Sequence, residues 1–113
     1  MENAPLGEKT FDAVAVVLPA FNADRTIFEV VRGLREYFSR IIVVDDGSSD
    51  ETAMRAKDAG AFVISHGANL GKGSSLRDGL ERALNDPAVK ACLVMDADGQ
   101  HDPADAARLA RVW

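Results

Sequence analysis

The chain lacks a second cysteine. Cys92 stands alone among 113 residues, inside an apolar run. No disulfide framework can form within the chain, so a reducing compartment, most simply the cytoplasm, is expected. Positive charge is also scarce: 13 Lys and Arg stand against 18 Asp and Glu, a net charge of −5. That balance argues against a nucleic-acid binder and against electrostatic attachment to anionic lipid, because both need a cationic face. It suits a protein that recruits a divalent cation to approach an anionic substrate. No apolar run approaches the length of a membrane-spanning helix, and Met1-Glu2-Asn3-Ala4-Pro5 lacks a charged-then-apolar secretion pattern. Repeats, low-complexity tracts and linkers are missing too. One domain is expected, with 47% hydrophobic residues to fill an ordinary core.

Three familiar ligand signatures are incomplete. Gly67-Ala68-Asn69-Leu70-Gly71-Lys72-Gly73 has one residue too few between its glycines for a P-loop, and Gly73 stands where Ser or Thr must hold magnesium. A dinucleotide G-x-G-x-x-G pattern fails because Leu76 occupies the third glycine position after Gly71 and Gly73. Asp96-Ala97-Asp98-Gly99-Gln100 lacks the third ligand and the spacing of an EF-hand. These tests exclude an ordinary P-loop NTPase and a Rossmann dehydrogenase.

What is present is an alternation. Four apolar runs, Val14 to Leu18, Ile41 to Val44, Ala61 to Ile64 and Ala91 to Met95, read as short strands buried on both faces. Between them lie segments of helical period. Ile27, Val30, Val31, Leu34 and Phe38 form one stripe, with Asp24 placed to cap its start. Ser48 or Ser49 is placed to cap the next helix, with Ala53, Ala56 and Ala59 inward and Gly60 as the stop. Leu76, Leu80, Ala83 and Leu84 mark a third, and Asp102-Pro103 opens a fourth. The pattern predicts an α/β fold with a Rossmann-like, mainly parallel sheet and helices on both faces. Residues 1–12 form a polar leader expected to be flexible, and 13–113 form the domain.

Polar residues collect directly after each strand: Pro19-Ala20-Phe21-Asn22, Asp45-Asp46-Gly47-Ser48, His66-Gly67-Ala68-Asn69 and Asp96-Ala97-Asp98. In a parallel α/β sheet these ends share one edge, where such folds bind ligands. Asp96 and Asp98 are two apart, so persisting strand geometry would point both carboxylates to one face. Two such groups repel unless a cation sits between or near them. Magnesium or manganese takes oxygen ligands of this kind and commonly bridges to substrate phosphates. Gln100 adds a carbonyl oxygen and His101 a ring nitrogen. The plainer alternative makes Asp98-Gly99 a turn and Asp102 a helix cap. Asp45 and Asp46 suit either a base or ribose contact or a capping loop, and Val43 to Asp46 faintly resembles a response-regulator acidic cluster. Lys72, in a glycine-flanked loop, can reach a diphosphate. Arg77 lies a turn further on. Phe21 suits base stacking or the core, His66 a loop or a rim contact, and Cys92 inert packing.

Taken together, "VVLPAFNADRTI", "IIVVDDGSSDET", "NLGKGSSLRDGL" and "VMDADGQHDP" resemble family 2 glycosyltransferases of the GT-A fold, nearest the dolichol- or polyprenol-phosphate sugar transferase branch. The resemblance covers nearly all of the chain from Val14 onward. It implies that Pro19, Phe21 and Asn22 line the nucleotide base, that Val44 and Asp46 end the second strand, and that Asp46 reads the base. It places Lys72 and Arg77 near the diphosphate and makes Asp96, Ala97 and Asp98 the D-x-D motif. Asp98 would then bind Mg2+ or Mn2+, with Gln100 as a further ligand and Asp96 near the ribose or metal. Many polyprenol-phosphate transferases carry Glu where this chain has Ala23, which weakens the branch assignment more than the family.

The resemblance implies transfer of a sugar from a UDP- or GDP-linked donor to an acceptor such as a polyprenyl phosphate. The chain is expected to be the N-terminal, donor-binding half, with the acidic catalytic base beyond Trp113. A longer parent would work in the cytoplasm or at the cytoplasmic face of a membrane. Strand order 3-2-1-4 is expected, since it sets strands one and four around a switch point. Strand four would then be an open edge, and self-association through it follows. Two rivals stand beside this reading. One is a non-catalytic nucleotide-binding or interaction module. The other is a nucleotidyltransferase, which usually carries a Gly- and basic-rich loop after strand one, where this chain has Pro19-Ala20-Phe21-Asn22-Ala23.

Overall fold

Two apolar strands, side by side and buried almost throughout, anchor the chain. The computed structural model describes residues 11–98 and 103–106. Strand β1 (Val14–Ala20) pairs in parallel with β2 (Arg40–Asp45), Val16 opposite Ile41 and Ala20 opposite Asp45. Parallel strands β3 (Phe62–Ser65) and β4 (Ala91–Val94) flank them, giving the expected order β3-β2-β1-β4. Only the central pair is buried on both faces. Phe62 and Val94 at the edges are about half exposed, at 49% and 47%, so the expectation of four doubly buried strands is corrected for β3 and β4. An edge strand needs less apolar cover because one side of its ladder meets solvent.

The pleat of β1 divides the core in two. Val14, Val16 and Leu18 face α1 (Ile27–Leu34) and α2 (Thr52–Ala59), while Ala15 and Val17 face α3 (Lys72–Leu84). Helix α1 buries Ile27, Val30, Val31 and Leu34. The helix ends there, yet Phe38 continues the stripe into the core and stacks on Phe11 at 5.3 Å. Phe11 and Asp12, at the end of the stretch read as a leader, are held: Phe11 N–H donates to Tyr37 O and the Ser39 hydroxyl to Asp12.

Two helix starts differ from expectation. Thr26, not Asp24, is the α1 N-cap residue, and it makes no side-chain cap bond. Its hydroxyl instead donates to the Ala97 carbonyl at 2.6 Å, tying α1 to the segment after β4. Glu51 precedes α2, and neither Ser48 nor Ser49 caps it. Both serines bond Asn22, while the Asp50 carboxylate accepts the Thr52 N–H. Gly60 stops α2 as expected, in the left-handed region at φ 107°.

Helix α3 packs on small residues. Ser75, Gly79 and Ala83 are its buried face, whereas Leu76 and Leu80 flank it and Leu84 is 64% exposed. A Cβ on Gly79 would stand 2.5 Å from Val17 Cγ1 and 3.1 Å from Val44 Cγ2. The close approach selects small side chains, so of the residues expected to mark this helix Ala83 lies in the contact, while Leu76 and Leu80 lie beside it. Pro103, Ala104 and Asp105 begin a helical turn running to residue 106, as expected of a proline start.

Candidate functional site

Hydrogen bonds carry the parallel ladders past the strand ends and so arrange the loops. Asp46 N–H donates to Ala20 O, His66 N–H to Asp45 O and Met95 N–H to Val17 O. The four polar segments read after the strands are thereby brought to one edge. They surround a cleft of about 230 Å³ whose walls include Pro19, Phe21, Asp46, Lys72, Ser75 and Asp96. Phe21 stands at its lip, 51% exposed. A flat aromatic in that position can stack on a planar ring.

Not every expected site residue reaches the cleft. Val44 is fully buried beneath α3. Asn22, at φ 50°, turns its side-chain oxygen to the Ser49 N–H at 2.9 Å and so pins the β1 turn to the β2 turn. Arg77 points along α3 to Asp78, with Nε 3.3 Å from Oδ1, and does not line the cleft. Ala97 is buried and Asp98 exposed. Because β4 ends at Val94 and residues 97 and 98 lie in a turn, strand alternation does not extend to Asp96 and Asp98. The argument that a persisting strand gives both carboxylates one face is corrected accordingly. Gln100, His101 and Asp102 lie outside the described residues.

The charges in the cleft are paired. Lys72 Nζ lies 2.9 Å from Asp96 Oδ1, and both side chains remain largely open to solvent. One ammonium and one carboxylate thus face the same space. Among the described residues no group of three or more His, Cys, Asp or Glu side chains converges into a metal-binding set. A self-contained protein cage is absent there. A divalent ion shared with a phosphate ligand needs only one or two carboxylates and keeps several waters, and Asp96 with Asp98 fits that smaller requirement.

Asp46 is the most heavily bonded side chain of the site. Its Oδ1 accepts the Leu70 N–H at 2.8 Å and its Oδ2 the Gly71 N–H at 2.9 Å. His66 Nδ1 lies 2.8 Å from the same Oδ1, and its other ring nitrogen, Nε2, lies 2.7 Å from Asp78 Oδ2. The His66 bond, then the two backbone bonds, hold the Asp46 carboxyl below its ordinary range despite burial. Asp46 and then Asp78 push the imidazole above its ordinary value of 6.5. Gly47 makes room for this turn: at φ 77°, a Cβ on it would lie 2.5 Å from the Ala68 carbonyl carbon. Sequence reasoning left His66 undecided and did not single out Asp78. The one available signal was a histidine immediately after a strand, opposite the acidic end of its neighbour.

Ser75 was also missed. Its hydroxyl oxygen is buried at the cleft wall and has no hydrogen-bond partner among the described residues. Such a group is costly unless a water or ligand completes it. Cys92 is partly buried, and burial pushes its thiol up, away from reactivity. No helix among the described residues is long and apolar enough to cross a membrane.

Residues 15–113 match the model of the family described as glycosyl transferase family 2. The glycosyltransferase AglJ of Haloferax volcanii is 37% identical over 101 residues, covering 88% of this chain and 32% of that protein. The UDP-N-acetylglucosamine–dolichyl-phosphate N-acetylglucosaminyltransferase of Methanococcus voltae is 30% identical over 114 residues, covering 85% of this chain and 45% of that one. Among solved structures, glucosyl-3-phosphoglycerate synthase from Mycobacterium tuberculosis, in complex with Mn2+, UDP-glucose and phosphoglyceric acid, superposes with a TM-score of 0.60 at 31% identity. That match covers 76% of this chain and 33% of the synthase. The chain spans less than half the length of these curated relatives.

Proposed function

The chain belongs to glycosyl transferase family 2, and on that premise we propose that its strand-end cleft binds the nucleoside diphosphate part of a sugar donor. The observation that carries this reading is the meeting of Phe21, Asp46, Lys72 and Asp96 around one cleft at the carboxyl ends of β1, β2 and β4. An aromatic face, a fixed carboxylate, an exposed ammonium and an acidic turn suit the base, the diphosphate and the metal of such a donor. Phe21 stacks on the base and Pro19 borders it. Asp46, with lone-pair capacity beyond its three present bonds, accepts from the base. Lys72 meets the diphosphate as a point charge. Asp96 and Asp98, with Gln100, would hold Mg2+ or Mn2+. When bound, the metal stabilises the charge that develops on the departing nucleoside diphosphate.

The reaction we assign to the full-length protein is displacement at the sugar's anomeric carbon. The bond to the diphosphate oxygen breaks as a bond to an acceptor oxygen forms. The named substrate of the Methanococcus voltae relative supports a polyprenyl phosphate acceptor, and with it a place at the cytoplasmic face of a membrane. A phosphate acceptor already carries a nucleophilic oxygen and needs little activation by a base.

Titration calorimetry with UDP and with GDP, each with and without Mn2+, tests the donor assignment. The expected result is metal-dependent binding of one nucleotide that Asp98→Ala weakens strongly. Equal heats in Asp98→Ala and the parent, or none with either nucleotide, would sink it. Sugar transfer by this chain alone would exclude the non-catalytic module. Pyrophosphate release from a nucleoside triphosphate would instead favour a nucleotidyltransferase.

A further inference from the structure

The Asp46–His66–Asp78 chain adds a side-chain link at the carboxyl ends of β2 and β3, which are already paired strands, and ties them to α3, which packs on β2. Asp46 follows β2, His66 follows β3, and Asp78 sits midway along α3. The His66 and Asp46 side chains are each only 7% exposed, and Asp78 is 28% exposed. A neutral imidazole has one N–H donor and one bare lone pair. With a carboxylate at 2.8 Å from one nitrogen and another at 2.7 Å from the second, a bare lone pair would face an acceptor on one side or the other. Both contacts are hydrogen bonds only when both nitrogens carry protons.

We propose that His66 is a positioning residue: as an imidazolium clamped between Asp46 and Asp78, it fixes the 66–71 turn and the carboxylate that walls the nucleotide cleft. The function of the clamp, though not its existence, rests on the donor-binding reading given above. The Asp46 carboxylate that accepts the Leu70 and Gly71 N–H groups also lies against His66 Nδ1, so the imidazolium bears on the acceptor that holds the turn. The same turn delivers Gly71 and Lys72, the start of α3, so the clamp also sets where the ammonium enters the cleft. The other charged groups packed around the clamp are few. Arg77 bonds the Asp78 Oδ1, Asp45 uses its Oδ1 on the Ser48 N–H, and Lys72 pairs with Asp96. Arg77 favours an ionised Asp78, so it supports the charged bridge and does not compete with His66.

His66, raised above 6.5, holds the turn at low pH and releases it as pH rises through its folded-state value. Asp46 and Asp78 are lowered, so they release it only as pH falls through their own, still lower values. The clamp therefore has an upper pH limit set by His66. Above that limit the protonated, binding-competent fraction falls about tenfold per pH unit, and apparent nucleotide affinity falls with it.

The test is nitrogen-detected NMR of His66 and amide spectra of Leu70 and Gly71 across about pH 5.5 to 9.5, with UDP and GDP affinities measured at the same points. The expected result is both ring nitrogens protonated near pH 6 and an apparent titration midpoint above 6.5. Leu70 and Gly71 should shift with that midpoint, and nucleotide affinity should fall beyond it. Asp78→Asn keeps an acceptor for Nε2 but removes one charge, so it should move all of these midpoints down together, a response a purely structural contact would not give. His66→Gln, which replaces two ring N–H donors on opposite sides by one amide nitrogen and an acceptor oxygen and carries no charge, should bind nucleotide weakly at every pH. A singly protonated His66 at pH 6 would overturn the clamp, as would Leu70 and Gly71 amides that stay fixed while His66 titrates. Nucleotide affinity independent of pH would overturn its role in binding. If no nucleotide binds at any pH while the amides follow His66, the clamp stands and the donor reading falls.

Discussion

Placing alanine at two glycines of α3 gives opposite results if the helix is seated as described. At Gly79 the new methyl carbon would lie 2.5 Å from Val17 Cγ1 and 3.1 Å from Val44 Cγ2. Both valines are fully buried in the central strands, and β-branched side chains have little rotamer freedom with which to yield. Helix propensity favours Gly79→Ala by about 1 kcal/mol, while overpacking a tight core costs about 1–3 kcal/mol. Overpacking wins, with a net loss of about 1 kcal/mol, or roughly 4–8 °C in Tm for a domain of this size. At Gly73 a Cβ meets nothing within 4 Å and the residue is exposed. Gly73→Ala should therefore gain about 0.4–1 kcal/mol, chiefly by restricting the unfolded chain. Urea unfolding reads both: the midpoint falls for Gly79→Ala and rises for Gly73→Ala, with the slope unchanged. A rise in both would mean that α3 does not approach β1 and β2 this closely.

Other consequences are equally checkable. Ser75→Ala removes a buried hydroxyl that has no partner among the described residues and adds a better helix former, so thermal unfolding should show a gain of about 1 kcal/mol or more. A loss would mean that the hydroxyl is satisfied by something essential. Lys72→Ala breaks a solvent-screened pair with Asp96. Chemical denaturation should register less than about 1 kcal/mol, while nucleotide affinity falls about tenfold or more through loss of a charge-assisted contact. Unchanged affinity would remove Lys72 from the site. Self-association through the edge of β4, where Val94 is 47% exposed, should appear in light scattering as mass rising with concentration, whereas a constant monomer mass argues against it.

Much of the fold is legible in the sequence because burial and period coincide in β1 and β2. Val14 to Leu18 and Ile41 to Val44 are apolar at every position, as suits strands covered on both faces. The strand order 3-2-1-4 followed from setting strands one and four around a switch point, and the sheet has that order. Edge strands were harder, since Phe62 and Val94 are apolar without being buried. Helix α3 was legible in part: Ala83 of the expected set is buried, but Ser75 and Gly79 complete its contact face because tight packing admits only small side chains there. The serines after Asp46 looked like caps because Ser favours helix starts, but Asn22, 26 and 27 residues away in the chain, bonds them instead. The members of the cleft were readable from their place after strands. Their internal bonding was not: nothing local in sequence says that His66 reaches Asp46 and Asp78 at once, since that contact exists only after β2, β3 and α3 have packed.

Paramagnetic broadening by Mn2+ in the presence of UDP or GDP tests the central claim most directly, because it reports where the ligand sits. A second cavity of about 220 Å³ lies at the opposite strand ends, bordered by Arg40, Phe62 and Arg82, and serves as an internal control. The account predicts that amide signals of Phe21, Leu70, Gly71, Lys72 and Asp96 broaden when nucleotide and Mn2+ are both present, while those of Arg40 and Arg82 stay sharp. Broadening centred on Arg40 and Arg82, or none near Asp96, would contradict it.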